Sequence, residues 1–252
     1  MRKLFSVLFL VMSFIEISAC KCIGSPLAEQ YLQADVVGVA KIIKVYDNNY
    51  EQRTYKADIE FQTIYKGEKF KTLIVRGLIG NSYAGSCEID VEPGEKLLLL
   101  LEKHNGSYSI SSCSPKYRLS EDEKGTLETL SKTFEYLDKN KDRFIGLEFT
   151  TCFDELQKGD KSELSNIKNF SPERPFAIYK VKINDSFKIE EIQPVTAFGN
   201  NDKLIENILK HNMSVDIPLF SKNSTQKEFL ILLLYFEGSI NKQYAEVINS
   251  EW

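Results

Sequence analysis

The amino-acid sequence predicts a mainly β, α+β protein of two domains: an antiparallel β-barrel with a flanking helix, then a small α+β domain. Three observations support this class. The 252-residue chain is longer than one small module. Its first half holds short extended runs that are separated by Gly, Pro and Asn turns and lack a helical crossover. Its last third has a strand, strand, helix, strand order.

The N-terminus, residues 1–19, is typical of a secretory signal peptide. Two basic residues stand near the start, residues 4–15 are nearly all apolar, and Ala19 is a small residue before a candidate cleavage site. This pattern predicts a secreted or cell-envelope protein whose mature chain begins at Cys20.

The same stretch, Ile17-Ser18-Ala19-Cys20, also matches a bacterial lipobox. In that alternative Cys20 carries lipid on its sulfur and is unable to join a disulfide. A membrane partner is expected only then, and the protein would be a lipid-anchored, non-catalytic interaction module of the cell envelope. The leader pattern leaves both alternatives open.

All five cysteines lie after residue 19, and cysteines that follow an export signal indicate an oxidising compartment. Cys20 and Cys22 are too close for the common structural zinc patterns and for a bridge to each other, so each is expected to have a distant partner. Cys87 and Cys113 are the candidates. Cys152 is the odd thiol, expected to be buried, or to pair with one of the other three if Cys20 is lipidated.

The first domain begins with a long predicted hairpin over residues 34–46 and 53–65, with a turn at Asp47-Asn48-Asn49. Further strands are predicted at residues 71–76, 87–91, 96–102 and 107–113. Six short strands without a helical crossover indicate an antiparallel barrel.

One strand and one helix are predicted to pack together. The run Leu97 to Leu101 lacks alternation, so this strand is expected to be buried on both faces, under the helix that follows. That helix opens with a Ser-x-x-Glu capping box at Ser120 and continues with apolar residues at helical spacing.

A set of motifs in residues 20–118 carries a family resemblance. In order they are Cys20-x-Cys22, Ala34-Asp35-Val36-Val37, the long hairpin, Tyr65-Lys66-Gly67, Cys87, Gly94-x-x-Leu97-Leu98-Leu99 and Cys113. Together they resemble the netrin-like domain of the tissue inhibitors of metalloproteinases. The resemblance implies an oligonucleotide-binding-type (OB) barrel and the disulfides Cys20–Cys87 and Cys22–Cys113.

The resemblance also implies a function: inhibition of a zinc metalloprotease. The α-amino group and the carbonyl of the N-terminal residue would chelate the protease's catalytic zinc, and here that residue is Cys20. Lys21 would point toward the protease's first primed-side pocket, with Cys22 and Ile23 along its cleft. A ridge that includes Tyr83 and Ala84 would lie beside them.

The end of the predicted helix resembles a calcium loop. Asp138, Asn140 and Asp142 have the spacing of the first ligands of an EF-hand. Arg143 stands where the loop needs glycine and Phe149 where it needs glutamate, so a solvated, helix-ending loop is the preferred interpretation. No metal or cofactor of the protein's own is therefore expected.

The domain boundaries follow from these patterns: residues 20–140 form the barrel with its helix, 141–172 a connector, and 173–252 the α+β domain. Strands are predicted at residues 176–183, 187–195 and 229–236, and a helix at 202–211. Residues 173–238 weakly resemble the C-terminal domain of TonB-type proteins, which implies protein contact through a sheet edge.

Two function classes find no support in the sequence. A net charge of −4 with Lys and Arg scattered among acids argues against a nucleic-acid partner. The two histidines, His104 and His211, belong to no catalytic triad, metal pair or cofactor motif, so an enzyme is not expected. The expected partner is another protein.

Overall fold

The structure, a computed structural model, describes residues 22, 24–80, 87–120, 124–154, 163, 164, 167, 170–216, 227–236 and the backbone of 246–249. Its helices are α1 (Leu27–Gln33), α2 (Lys124–Lys139) and α3 (Asp202–Asn212), with a 3-10 turn at Lys141–Phe144. The strands of the first half are β1 (Val36–Asn49), β2 (Thr54–Lys66), β3 (Thr72–Arg76), β4 (Lys96–Leu101), β5 (Lys103–His104), β6 (Ser107–Ile110) and β7 (Lys116–Leu119). Those of the second half are β8 (Glu148–Asp154), β9 (Phe176–Ile183), β10 (Ile189–Thr196), β11 (Met213–Asp216), β12 (Glu228–Phe236) and β13 (Glu246–Asn249).

The first sheet has the order β5-β6-β3-β2-β1-β4-β7. Only Glu102 separates β4 from β5, so one bent stretch of chain pairs with β1 before the bend and with β6 after it. This bend curls the sheet toward a barrel. The predicted mainly β, α+β class is confirmed, and one of its pairings, β3 with β6, is parallel.

Strand β4 is buried on both faces, as its unbroken run of leucines predicts. Leu97, Leu99 and Leu101 lie in the core inside the curled sheet. Leu98 and Leu100 lie in a second core, which they share with Leu130, Phe134 and Leu137 of α2. The helix therefore covers the outer face of β4.

The second sheet has the order β10-β9-β12-β8-β11, with β13 pairing with β12. The predicted strand, strand, helix, strand order is present as β9, β10, α3 and β12. Ile205, Ile208 and Leu209 of α3 are buried in the core of this sheet, which also contains Cys152 of β8. Strand β8 lies within the predicted connector, yet it pairs in parallel with β12.

The core under α1 and α2 is built from both sheets. It contains Leu98 of the first sheet and Phe149, Ile178 and Leu232 of the second. The Glu29 carboxylate of α1 accepts a hydrogen bond of 2.9 Å from the Phe149 backbone N–H. The two helices therefore form a layer between the sheets.

Several local predictions are corrected. Residues 87–91 form no strand: the N–H of Ile89 donates to the Arg76 carbonyl and that of Val91 to the Tyr55 hydroxyl, in place of a ladder. Strand β6 ends at Ile110 rather than at residue 113. Asp47-Asn48-Asn49 belongs to β1, and the hairpin turns at residues 50–53. Helix α1 and strands β5, β7, β8, β11 and β13 were not predicted.

Candidate functional site

A disulfide joins Cys22 to Cys113, which confirms this predicted pair. The two Cα atoms lie 5.0 Å apart across a sequence separation of 91 residues. Cys113 stands in the turn between β6 and β7, and both cysteines are exposed. In the chain-entropy model a bridge that closes so long a loop stabilises the fold by on the order of 4 kcal/mol.

The described residues between Cys22 and Pro26 lie on the surface. Gly24 and Ser25 are exposed, and a Cβ built on Gly24 would meet nothing within 4 Å. The chain becomes buried at Pro26, Leu27 and Ala28, and the Gln30 side-chain amide donates to the Ser25 carbonyl. A surface segment is thus fixed at Cys22 by the disulfide and at Pro26 by the helix.

Cys87 is also disulfide-bonded. Its carbonyl accepts a hydrogen bond of 3.1 Å from the N–H of Ser112, next to Cys113. Cys152 is a thiol buried in the core of the second sheet. Cys113 lies in a turn of residues 111–115, called the Cys113 turn below, and this turn binds the backbone of Cys87. The two disulfide-bonded cysteines Cys87 and Cys113 are therefore connected through one turn.

A cavity of about 520 Å³ lies between this surface segment and the sheet. Its walls include Cys22, Gln30, His104, Lys116 and Tyr117. The Tyr117 hydroxyl donates to the Gln30 side-chain oxygen at 3.4 Å. Burial raises the pKa of Tyr117 far above its ordinary range, so this phenol stays neutral.

Lys116 is the cationic side chain that this cavity shares with the Cys113 turn. Its Nζ donates to the carbonyls of Ser111, Ser112 and Ser114. Burial, and then the nearby Arg118, lower the pKa of Lys116 to about 8. The ammonium form still predominates at pH 7.

The sequence prediction did not identify Lys116. It lies in the stretch Pro115-Lys116-Tyr117, and nothing in that stretch separates it from an ordinary surface lysine. Gln30 was missed together with α1. The cysteine spacing alone pointed to this part of the molecule.

The other predicted edge residues lie outside the described part of the chain. They are Cys20, Lys21, Ile23, Tyr83 and Ala84. Their predicted roles, the Cys20–Cys87 disulfide and the alternative lipidation of Cys20 stay predictions. Of the predicted inhibitory edge, Cys22 is described, and it lies on the surface.

The residues of the calcium-like loop lie at a helix end. Asp138 is in the last turn of α2, and Asp142 is in the 3-10 turn that follows. The Asn140 side chain donates to the Tyr136 carbonyl at 2.9 Å, and its oxygen accepts from Arg143 at 3.4 Å. Throughout the described ranges, no three His, Cys, Asp or Glu side chains are grouped so that they could hold a metal ion.

The two histidines lie on separate elements. His104 is exposed on β5, beside the cavity, and His211 is exposed in the last turn of α3. Among the helices of the described chain, none combines the length and the apolar character needed to cross a bilayer.

Comparison with known proteins gives no relative from which a function could be transferred: the chain matches no family model and no curated protein. The site is therefore characterised by its own geometry, a surface segment that a disulfide fastens to the rim of a curled sheet.

Proposed function

We propose that this is an exported protein that resembles the tissue inhibitors of metalloproteinases and binds a zinc metalloprotease through the segment that begins at Cys20. The observation that carries the proposal is the Cys22–Cys113 disulfide, which holds an exposed segment against the first sheet. Preorganisation of this kind reduces the entropy that a binding segment loses on association.

The proposed chemistry is chelation of the protease's zinc. Once the signal peptide is removed, the α-amino group and carbonyl of Cys20 would complete a five-membered ring on the metal and displace the water that the protease needs for hydrolysis. A terminal amine has a reference pKa of about 8, so it loses its proton readily at a metal ion.

A second disulfide, Cys20–Cys87, would fix the chelating residue itself. Cys87 is disulfide-bonded, Cys22 and Cys113 bond to each other, and Cys152 is a buried thiol in the second sheet's core. These facts support Cys20 as the partner of Cys87. Lys21, Cys22 and Ile23 would then extend along the protease cleft, beside Tyr83 and Ala84.

The test is an inhibition assay with a panel of zinc metalloproteases and the mature chain that starts at Cys20. The matched control adds one alanine before Cys20, which keeps every disulfide and moves the amino group out of chelating position. We expect inhibition by the mature chain and a loss of about a hundredfold or more on extension, since even the outer-shell partners of a metal ligand are worth about 10- to 100-fold in metal affinity. Equal potency of both chains, or none, would refute the proposal.

The side chain of Lys21 provides a further prediction. A charged group that enters an apolar pocket loses hydration, so Lys21→Ser is expected to increase inhibitory potency by about tenfold or more. Lys71→Ser changes an exposed lysine on the first sheet and serves as the control. Unchanged potency of Lys21→Ser would mean that this side chain lies outside the protease pocket.

The lipobox motif favours a second candidate function. With lipid on Cys20, the protein would be an envelope-anchored interaction module, and its second sheet would contact other proteins through an edge strand. The N-terminal amine would then be unable to chelate zinc. The mass of the mature N-terminus separates the two candidates.

A further inference from the structure

The ammonium group of Lys116 occupies a cage of backbone oxygens. Its Nζ lies 2.6 Å from the Ser111 carbonyl, 3.0 Å from that of Ser112 and 3.2 Å from that of Ser114. A lysine ammonium has three N–H donors, so each of them has a carbonyl to bind. The lysine therefore takes the place that a small cation would take in a ring of carbonyls.

The caged carbonyls belong to the turn that carries Cys113. Inside this turn the N–H of Ser111 donates to the Ser114 hydroxyl at 2.9 Å, and the N–H of Ser114 to the Ser111 carbonyl at 3.2 Å. The turn also binds the Cys87 carbonyl through Ser112. A change in its shape would therefore move both cysteines that anchor the N-terminal segment.

Converging carbonyl oxygens repel one another unless a donor or cation lies between them. Without the ammonium, three carbonyl dipoles would point at the same partly buried space. The other charged side chains near this space are Arg118 on β7 and, around the cavity, Glu102 and His104. Of these four side chains, Lys116 alone donates a hydrogen bond to the Cys113 turn within the described part of the chain; Arg118 donates to the Asp90 carbonyl instead.

We propose that Lys116 is a positioning residue for the N-terminal segment: its side-chain nitrogen, bound to three carbonyls, shapes the Cys113 turn so that the Cys22–Cys113 disulfide closes. The order of the turn and the stability of the disulfide are then thermodynamically linked, since a turn held in shape raises the effective concentration of the Cys113 thiol near Cys22. The consequence for protease inhibition rests on the proposed function.

The first test is the redox equilibrium of the Cys22–Cys113 pair, measured by peptide mass mapping after equilibration in glutathione buffers at pH 7. The variants are Lys116→Met and, as the control, Lys71→Met, the same change at an exposed lysine. Lys116→Met is expected to lower the equilibrium constant for disulfide formation by about tenfold, equal to about 30 mV. An equilibrium constant as in the control would overturn the proposal.

A second measurement uses the unmodified protein and applies even if Lys116→Met does not fold. Nitrogen-15 NMR of the lysine side chains reports the titration and proton exchange of each ammonium. The ammonium of Lys116, assigned by specific labelling, is expected to have slowly exchanging protons at pH 7, since each of them binds a carbonyl. Exchange as rapid as that of the exposed Lys71 would overturn the proposal.

Inhibition assays separate this inference from the function on which it rests. If the mature chain inhibits a protease and Lys116→Met inhibits it equally well, the positioning role is wrong and the function stands. If neither chain inhibits while the redox equilibrium shifts about tenfold, the positioning role stands and the function is wrong.

Discussion

At the scale of the single residue, Lys66 shows how one ammonium group holds a short helix. Its Nζ donates to the carbonyls of Tyr31 and Leu32, each at 2.9 Å, and lies 5.3 Å from the centre of the Tyr31 ring. These carbonyls end α1, where a positive charge also complements the helix dipole. Burial lowers the pKa of Lys66, so the contact is made partly out of water.

Lys66→Met should therefore destabilise the fold. Loss of two hydrogen bonds from a charged donor is expected to lower the free energy of unfolding by about 1–3 kcal/mol. Urea denaturation measures the change. Lys71→Met, at an exposed lysine, is the control and is expected to stay within about 0.5 kcal/mol of the unchanged protein. A loss no larger than in the control would show that Lys66 does not hold the helix.

Lys116 also predicts a dependence of stability on pH. The pKa of Lys116 is about 8 in the folded protein and 10.5 ordinarily, so between these values the unfolded chain retains a proton that the folded protein has released. The contribution of Lys116 to the free energy of unfolding is therefore lowest below pH 8 and increases as the pH rises to 10.5. The neutral amine keeps two N–H donors for the turn.

The measurement is the free energy of unfolding of the unchanged protein minus that of Lys116→Met, from urea titrations between pH 7 and 10 with the disulfides intact. This difference in the free energy of unfolding should increase as the pH rises through about 8. A difference that does not change with pH would mean that Lys116 titrates like an exposed lysine.

At the scale of the element, α2 carries the layer between the sheets. Phe134 is 1% exposed, stacks on Tyr31 with ring centroids 4.5 Å apart, and contacts Tyr65 edge-on at 5.4 Å. Phe134→Ala should lower the free energy of unfolding by about 3–5 kcal/mol, because it opens a cavity against α1. Chemical denaturation tests this.

The control for Phe134→Ala is Leu204→Ala, since Leu204 is 46% exposed on α3. That change is expected to stay within about 0.5 kcal/mol. Comparable losses in both variants would mean that the layer between the sheets can repack around the missing ring.

The elements that the sequence predicted correctly are those with a strong periodic signal. The alternation of apolar and polar residues was sufficient to predict β2, and the helical spacing of apolar residues was sufficient to predict α2 and α3. Strand β4 was identified because its run of leucines has no polar face. Helix α1 has seven residues, too few for a clear period, and its packing against α2 stabilises it. Strand β8 was missed because Thr150 and Thr151, two of its buried residues, are polar, so neither an alternation nor an apolar run marks it in the sequence.

Residues 87–91 show the opposite error, an extended run that pairs with no strand. The N–H of Val91 donates to the Tyr55 hydroxyl, and that of Ile89 donates to the carbonyl of Arg76, the last residue of β3. A β-rich composition favours an extended chain, but whether a neighbouring edge is available depends on the whole fold. For the same reason the sequence could not reveal the carbonyl cage of Lys116.

At the scale of the whole molecule, the site depends on contacts that link distant parts of the chain. The Cys22–Cys113 disulfide fixes the N-terminal segment to the first sheet, while α1, which follows that segment, reaches β8 through Glu29. The Thr129 hydroxyl of α2 donates to the Tyr235 carbonyl of β12 at 3.1 Å. Strands β8 and β12 of the second half therefore hold helices α1 and α2, and α1 is the element that follows the N-terminal segment.

The proposed function requires that the mature protein presents an unmodified Cys20, fixed by a disulfide, at the end of this supported segment. Peptide mass spectrometry of the protein from its native host, without reduction, detects that state. We expect an N-terminal peptide with a bare α-amino group and a Cys20–Cys87 link, beside the Cys22–Cys113 link. An acyl or diacylglycerol mass on Cys20 would contradict it and leave the envelope-anchored module as the function to test.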